Sequence, residues 1–417
     1  MRIKIAPVMA ASIQFSDLVG LNFALTAQIR GKLSSERVRE ALRKVKQKHP
    51  LLTARVIADK DGLWYETDDN PMIPLDSIDG DWADALPTEL PRRFISKSGP
   101  QVRFLLSYNG NCTDLAVILS HMVADGMTGA YVLRDVLYYI AHPDEVVHPL
   151  PYVPPLEELL PPQDESQVEP MFGQRPEPSE SSTGNGPTAP APLYVIRWLL
   201  TVAQTSALTA RTRQENVTIH AALCVAFLSA FHLLNLADSS LHCVSSPVSL
   251  RNRLTQPVGE HVGNYINSSV RVNLDFVPPR DFWEMAQEIK VAMARGSADD
   301  QIFAPIYAFH EMIQSFAGRS IADVVETNQF QRPRADYDLS ISNLGRIEMP
   351  ADFGDFQLEA LYGPVLDSLA DETIVGVATA AGKLSCSLVS RPYLLPKATA
   401  GQIRDIAMDI LASAVGW

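Results

Sequence analysis

The segment SHMVADGMTG, residues 120–129, contains the residues best suited to chemistry in this chain. His121, Asp125 and Gly126 form an HxxxDG pattern within it. Histidine is the side chain whose free pKa lies near neutrality, so His121 could accept a proton from a nucleophile and return it later. Asp125 could orient the loop through a salt bridge, and Gly126 permits a backbone turn that other residues resist. Taken alone, the pattern leaves open a purely structural histidine, since an isolated HxxxDG occurs by chance in many proteins.

The elements on either side of this segment must position it. Residues 114–120, DLAVILS, are a continuous apolar run that predicts a strand covered on both faces and ending at His121. A helix is predicted from near Met127 to Ile140. A polar residue between a buried strand and a helix is a common place for a functional group, because loops on a rigid scaffold often carry function.

Three more elements are predicted upstream. Residues 21–31 alternate like a half-buried strand, and residues 51–67 read as a hairpin with Asp61-Gly62 as its turn. Between them, SSERVREALRKVKQKHP predicts a helix with Ser34 or Ser35 as N-cap, closed by Pro50. The apolar stripe of that helix is formed by Val38, Ala41, Leu42 and Val45.

Residues 149–192 contain twelve prolines and predict a long linker or mobile surface loop with no packed element. The sequence is thereby divided into an N-terminal lobe, residues 1–148, and a C-terminal lobe, residues 193–417. The second lobe begins with a strand, LYVIRWLL, followed by two helices, of which TIHAALCVAFLSAFHLLNL is apolar almost all round and should be buried. Strands and helices mix without strict βαβ alternation, which predicts an α+β fold with mixed or antiparallel sheets.

Composition excludes several classes of function. Hydrophobic residues make up 46% of the 417-residue chain, as in a globular protein, and a net charge of −13 argues against a nucleic-acid binder. No window reaches the roughly 18 apolar residues of a membrane span, and the N-terminus lacks a secretory pattern, so a cytoplasmic location is expected. The histidines lack metal-ligand spacing and no phosphate-binding glycine loop is present, so no metal and no tightly bound cofactor are expected. The cysteines are too widely spaced for a zinc site or a disulfide framework, and reduced thiols are expected at Cys112, Cys224, Cys243 and Cys386.

Several segments, taken in order, resemble the superfamily of nonribosomal-peptide condensation domains, polyketide-associated acyltransferases, alcohol acetyltransferases and BAHD enzymes. The resemblance covers nearly the whole chain outside the proline-rich stretch. The segments that carry it are IRGKLSSERVREALRKVKQKHPLLTARV, SHMVADG, SPVSLRNRL with EHVGNYINSSV, YDLSISNLGRI, and LEALYGPVL with ETIVGVATAAGKLSCSLV.

The resemblance implies two chloramphenicol-acetyltransferase-like lobes with a channel between them. His121 would act as general base on the hydroxyl or amine of a small acceptor. The donor would be a thioester, acyl-CoA or an acyl chain on a carrier protein. Asp125 would be structural, with Arg251 as its candidate partner, although an exposed strand-end arginine is the alternative. Ser120, Ser342, Asn343 and Gly345 are candidates for lining the channel or holding the oxyanion, and the alternative for the strand-end residues is a polar turn cap.

Two departures from the superfamily pattern matter. Condensation domains usually carry two adjacent histidines, and Ser120 stands in place of the first, which favours ester formation over peptide-bond formation. DFGDF, residues 352–356, matches only part of a late BAHD motif and is interpreted as structural. An amide-forming stand-alone condensation domain and a non-catalytic carrier-binding scaffold remain alternatives. A monomer is expected, since one chain can supply a complete site.

One early helix carries much positive charge. Its basic residues could dock an acidic carrier protein or the phosphates of coenzyme A, or could form an ordinary solvated face. They are Arg37, Arg39, Arg43, Lys44, Lys46 and Lys48.

Overall fold

The structure, a computed structural model, describes residues 2–6, 9, 10, 13, 17, 20–67, 71–151, 153–162, 192–234, 242–266, 268–276, 280–315, 334–368 and 370–417. Its strands are β1 (Arg2–Lys4), β2 (Asn22–Arg30), β3 (Arg55–Asp59), β4 (Gly62–Glu66), β5 (Leu75–Ser77), β6 (Val102–Asn109), β7 (Cys112–Ser120), β8 (Tyr194–Leu199), β9 (Cys243–Pro247), β10 (Ser269–Asn273), β11 (Leu339–Arg346), β12 (Gln357–Leu366), β13 (Ile374–Ala380) and β14 (Lys383–Ser390). Its helices are α1 (Ser35–Lys48), α2 (Trp82–Glu89), α3 (Gly126–Ala141), α4 (Leu156–Leu159), α5 (Val202–Gln214), α6 (Ile219–Leu233), α7 (Phe282–Gly296), α8 (Asp299–Ile302), α9 (Ala304–Ser315) and α10 (Lys397–Val415), with a 3-10 turn at Pro50–Thr53.

The first large sheet has five strands in the order β12-β2-β7-β6-β5. Strands β2 and β7 are antiparallel and bring Asn22 opposite Ser120, at the end of β7 from which the His121 loop leaves. β2 was expected to be half-buried, and this is wrong, because only its last residue is exposed. Phe23 and Leu25 face one apolar cluster while Ala24 faces another, so both faces of β2 are covered.

The second large sheet has six strands in the order β10-β9-β11-β13-β14-β8. β11 runs parallel to β9 and β13, whereas the other pairs are antiparallel. The predicted α+β class with mixed sheets is therefore confirmed. Helix α6 lies in the core of this half, with Ala221–Phe231 buried except Ser229, as its all-round apolar sequence predicts.

Strand β12 connects the two sheets. It belongs to the C-terminal part of the chain, yet it pairs antiparallel with β2 at the edge of the N-terminal sheet. It also packs against β13, where a Cβ at Gly376 would lie 2.1 Å from the backbone oxygen of Pro364. The two halves therefore share a strand, an exchange that the sequence analysis did not predict.

Helix α1 begins as predicted, with Ser34 as N-cap accepting a hydrogen bond from the backbone N–H of Arg37, and its predicted apolar stripe is buried. Much of its positive charge is matched within the chain. Arg37 lies 2.9 Å from Asp355, Lys48 lies 2.7 Å from Asp135, and Lys44 donates to the backbone of Glu145 at 2.7 Å. Docking of a carrier protein or coenzyme A on this helix stays a prediction.

The three-stranded sheet β1-β4-β3 contains the predicted hairpin, with Gly62 in the left-handed region of φ as the first residue of β4. The proline-rich stretch packs in part. Leu156 and Leu159 of α4 are buried in the C-terminal core, so the expectation that no part of residues 149–192 forms a packed element is wrong there. Residues 163–191 lie outside the described residues.

Within the described part of the chain, no single helix has the length and apolar character needed to cross a bilayer, and the bent pair α5–α6 passes that test only when taken together.

Candidate active site

His121 follows the last residue of β7 and is anchored through its backbone. Its N–H donates to the carbonyl of Leu21 at 2.8 Å, and its carbonyl accepts from Nδ2 of Asn264 at 2.7 Å. The imidazole packs against Phe23 of β2, with ring centroids 5.0 Å apart. Since Leu21 belongs to the N-terminal half and Asn264 to the C-terminal half, both halves fix the position of the His121 backbone.

His121 is half-buried at the end of β7. Burial lowers its pKa below the usual value of 6.5, and the backbone of His121 and Ala124 together with the charge of Asp125 partly oppose that shift. Its Nδ1 atom is buried and has no partner of good hydrogen-bond geometry among the described residues. A lowered pKa keeps the imidazole neutral near pH 7, the state in which a general base accepts a proton.

Asp125 is fully buried and caps the helix that follows the loop. Its Oδ1 accepts from the backbone N–H of Thr128 at 2.7 Å, and its Oδ2 accepts from the backbone N–H of Tyr265 at 3.2 Å. The N-terminus of a helix offers unpaired N–H groups and a partial positive charge, both of which favour a carboxylate.

Arg251 makes a two-pronged contact with that carboxylate. Its Nη2 lies 2.8 Å from Oδ1 of Asp125 and its Nε lies 3.2 Å from Oδ2, in side chains that are 6% and 0% exposed. Nη2 also donates to Oγ1 of Thr128 at 2.7 Å, and Nη1 donates to the carbonyls of Gly259 and His261 at 2.8 and 3.1 Å. Arg251 therefore lies inside the protein and ties Asp125 to residues 259–263.

Gly126 begins α3. The expectation that its backbone turn requires a glycine is wrong. Its φ does not lie in the left-handed region, so the turn itself does not require glycine. A Cβ at this position would lie 2.6 Å from Cδ2 of Leu344. Close approach of β11 to the start of α3 is what favours a residue without a side chain.

The remaining sequence candidates lie on β7 and β11. Ser120 is buried beside the loop, and its backbone N–H donates to Gln101 at 3.1 Å. Ser342 and Asn343 are half-buried, while Gly345 is exposed with a φ of +70°. Oδ1 of Asn343 accepts from the N–H of Gly345 at 2.8 Å, which is the turn-capping contact considered as the alternative. Among the described contacts, none joins these three β11 residues to His121.

Two features of the site were missed. Asn264 and Tyr265 lie in the segment EHVGNYINSSV, but nothing in the sequence signals that the Asn264 amide donates to the carbonyl of His121 or that the Tyr265 ring stacks on Arg251 at 4.6 Å.

The DFGDF segment, residues 352–356, packs as a structural element, with the rings of Phe353 and Phe356 stacked at 5.0 Å.

The described residues include no cluster of three or more His, Cys, Asp or Glu able to hold a metal ion. All four cysteines are free, and burial raises the pKa of Cys224 to about 12 and of Cys243 to about 11. The thiols of Cys224 and Cys243 therefore stay protonated at neutral pH, and neither supplies a thiolate nucleophile.

Both the sequence and the fold of the chain are similar to those of known proteins. Residues 189–385 match the family model of the phthiocerol/phthiodiolone dimycocerosyl transferase C-terminus. No curated protein sequence matches the chain. Among solved structures, polyketide synthase associated protein 5 from Mycobacterium tuberculosis is 17% identical with a TM-score of 0.63, and the alignment covers 97% of each chain.

Two further solved structures are domains of synthetases. The epimerization domain from the third module of tyrocidine synthetase B is 15% identical with a TM-score of 0.67, covering 100% of this chain and 96% of that one. The first condensation domain of the calcium-dependent antibiotic synthetase is 15% identical with a TM-score of 0.64, covering 100% and 97%. At such identities the likeness establishes a shared fold over essentially the full length of the chain.

Proposed function

We propose that this chain, which has the fold of the condensation-domain superfamily that its sequence resembles, is an acyltransferase that moves an acyl group from a thioester to the hydroxyl of a small acceptor. The observation that carries the proposal is the His121 loop, whose histidine is kept neutral by burial and whose backbone is fixed by the Asp125–Arg251 pair and by Asn264. The C-terminal match to a transferase family model supports the same class of reaction.

His121 would accept the proton of the acceptor hydroxyl as its oxygen attacks the carbonyl carbon of the thioester. The resulting tetrahedral oxyanion needs a hydrogen-bond donor, and the Nδ2 amide of Asn343 is the candidate, since the Oδ1 of that side chain is engaged by Gly345. When the carbon–sulfur bond breaks, the thiolate takes the proton back from His121. The base is thus regenerated and no acyl-enzyme forms.

The donor in this proposal is acyl-CoA or an acylated carrier protein, and the acceptor is an alcohol of secondary or lipid metabolism. Asp125 supports the loop and takes no part in proton transfer, because its side chain is engaged by Arg251 and two backbone N–H groups. The protein works as a monomer without a tightly bound cofactor.

The test is to incubate the purified protein with acyl-CoAs of increasing chain length and a panel of alcohols, following thiol release and the mass of the product. The variant His121→Ala should lower the rate about 10²- to 10⁴-fold. A matched control is His142→Ala, since His142 lies just after α3 and its ring contacts only the carbonyl of Tyr138 and the Tyr138 ring among its described partners. Transfer that survives His121→Ala would exclude His121 as the base.

Amide formation is the second candidate, favoured by the structural likeness to a condensation domain. Amines of matched size, run beside the alcohols, separate the two reactions by the mass of the product. If no acyl-CoA is discharged, acylated carrier proteins are tested next. Binding of an acylated carrier without discharge would replace the catalytic proposal with a carrier-binding scaffold.

A further inference from the structure

Residues 259–265 form a segment that is neither helix nor strand, and this segment carries two of the groups that hold the His121 loop. The amide of Asn264 donates to the carbonyl of His121 at 2.7 Å, and the backbone N–H of Tyr265 donates to Asp125 at 3.2 Å. Without a helix or strand ladder, the backbone groups of the segment take their partners from elsewhere in the chain. The position of Asn264 therefore depends on what holds the 259–265 segment in place.

The first turn of α3 holds one end of the 259–265 segment. The carbonyl of Gly263 accepts from the backbone N–H of Asp125 at 3.1 Å and from Oγ1 of Thr128 at 3.0 Å. Arg251, which pairs with Asp125, donates to two further carbonyls of the segment at 2.8 and 3.1 Å. All of these contacts meet at the N-terminus of α3, so together they fix the segment around a single point.

A second anchor lies farther along the same helix. Arg134 donates to Glu260 through both of its terminal nitrogens, with Nη1 2.6 Å from Oε1 and Nη2 bonded to Oε2. Two parallel hydrogen bonds between a guanidinium and a carboxylate fix direction as well as distance. Arg134 lies nine residues after Asp125, so the two anchors are roughly 14 Å apart along α3. Held at two points of one helix, the segment cannot pivot about the contact between Asp125 and Arg251.

The side chain of Arg134 is itself held in place. Its guanidinium also donates to Asp135 at 3.0 Å and lies 5.2 Å from the centre of the Tyr131 ring. The same ring lies 5.6 Å from the guanidinium of Arg251, so Tyr131 contacts both of the arginines that hold the segment. Hydrogen bonding from Arg134 lowers the pKa of Glu260 below its usual value of 4.5, which keeps the carboxylate ionised at neutral pH.

The exposure of this pair separates positioning from folding. The side chains of Arg134 and Glu260 are 19% and 39% exposed, compared with 6% and 0% for Arg251 and Asp125. Water screens an ion pair with an exposed partner, so such a pair adds little to stability. A displacement of about 1 Å at the reacting groups can nevertheless lower a rate about 10²-fold. Loss of the pair should therefore affect the reaction much more than the folding of the chain.

We propose that Arg134 and Glu260 are positioning residues for the acyl transfer, because their ion pair sets the direction from which Asn264 holds the carbonyl of His121. Among the described contacts, neither side chain reaches the imidazole of His121, so both act through the 259–265 segment. The inference rests on the proposed function of His121. It also predicts a change in the His121 ring that can be measured without any acyl donor.

The first test is the acyl-transfer assay with Glu260→Ala. Its kcat should fall about 5- to 50-fold through misplacement of the base. KM should stay unchanged, since a contact that serves only the transition state lowers kcat alone, and the melting temperature should stay within a few degrees of wild type. Glu260→Gln keeps the side-chain length and one acceptor for Arg134, so its kcat should lie nearer to that of wild type. An unchanged kcat in Glu260→Ala would overturn the positioning role.

Asp299→Ala is the matched control. It breaks the 3.0 Å ion pair that joins Arg253, two residues after Arg251, to the start of α8. The control removes a partly exposed carboxylate next to the same loop without touching α3, so its kcat should equal that of wild type. Equal losses of kcat in Glu260→Ala and Asp299→Ala would overturn the assignment to Arg134 and Glu260.

The second test follows the ring of His121 by nuclear magnetic resonance in protein labelled with ¹³C-histidine. The Cε1–H signal of His121 is identified by its loss in His121→Ala. Burial lowers the pKa of this ring below 6.5, and a loosened loop admits water, so Glu260→Ala should raise the titration midpoint toward 6.5. Asp299→Ala should leave the midpoint unchanged. Asp125 keeps Arg251 as its partner in both variants, so the charge nearest to His121 is the same in the two titrations.

The two measurements distinguish this proposal from the proposed function. A raised midpoint in a protein that transfers no acyl group would support the positioning role and refute the acyl transfer. An unchanged midpoint in Glu260→Ala would overturn the positioning role even where wild type transfers acyl groups.

Discussion

Replacing Arg251 by Met should destabilise the protein strongly, because the substitution leaves Asp125 as a buried carboxylate without a cation. Both contacts between the two side chains are lost, at 2.8 and 3.2 Å, and only two backbone N–H donors remain to the carboxylate. Removing one partner of a buried ion pair typically costs about 3–5 kcal/mol. Domains unfold at a cost of about 5–15 kcal/mol, so this single change should remove a large fraction of the stability.

The double variant Asp125→Leu/Arg251→Met should recover part of that loss, since an apolar pair leaves no unpaired charge behind. We expect the sum of the two single losses of stability to exceed the loss in the double variant by roughly 2–3 kcal/mol, which is near the upper end of the coupling energies of residues in contact. Urea titration of the four proteins, followed by tryptophan fluorescence, gives each free energy of unfolding and hence the coupling.

A matched control is the pair Arg346 and Glu348, which lie 3.1 Å apart with side chains 79% and 81% exposed. Water screens such a pair, so the same cycle there should give no measurable coupling. Strictly additive effects at Asp125 and Arg251, or a loss under about 1 kcal/mol for Arg251→Met, would contradict the reasoning from burial.

Three further predictions rest on burial and close packing. Because burial lowers the pKa of His121, the pH profile of kcat/KM for acyl transfer should reach half its plateau below pH 6.5, and a midpoint above 6.5 would contradict a buried neutral base. The pKa of Asp135 is lowered from 3.8 to about 2, so its carboxylate stabilises the fold above pH 3.8 and this contribution is lost as the pH falls toward 2. Between these two pH values the free energy of unfolding of wild type should therefore fall by about 2 kcal/mol more than that of Asp135→Asn, as measured by urea titration. Gly376→Ala places a Cβ 2.1 Å from the backbone oxygen of Pro364, which cannot move aside, and should lower the free energy of unfolding by about 3 kcal/mol or more. In Gly126→Ala the new Cβ lies 2.6 Å from a methyl group of Leu344, which can move, so the loss should be about 1 kcal/mol. Thermal melts of the two variants can rank these losses.

Local elements followed from the sequence because their signals are local. The apolar stripe of α1 recurs at helical spacing, and the run that forms β7 is continuous, so both were predicted with nearly the right bounds. The burial of both faces of β2 was not predicted, since its alternating sequence places Thr26 and Gln28 on a face that is expected to contact solvent. Thr26 is fully buried, because a second layer covers that face of the sheet.

Tertiary contacts were harder to predict. Arg251 was reached only through the resemblance to a superfamily, since 126 residues separate it from Asp125 and many other arginines were available. Asn264 was missed because it binds a backbone carbonyl, which leaves no complementary side chain to find in the sequence. The reason for Gly126 was wrong because Leu344 approaches it from a distant strand.

The position of His121 depends on how the two halves of the chain pack together. β12 gives the N-terminal sheet its edge strand beside β2, so that sheet is incomplete without the C-terminal half. Arg251 and Asn264, which hold Asp125 and the His121 carbonyl, both come from that same half. A change in the packing of the two sheets would therefore displace the His121 loop both through β2 and through its contacts with Arg251 and Asn264. In the proposed reaction, the contacts that join the halves are also the contacts that place the base.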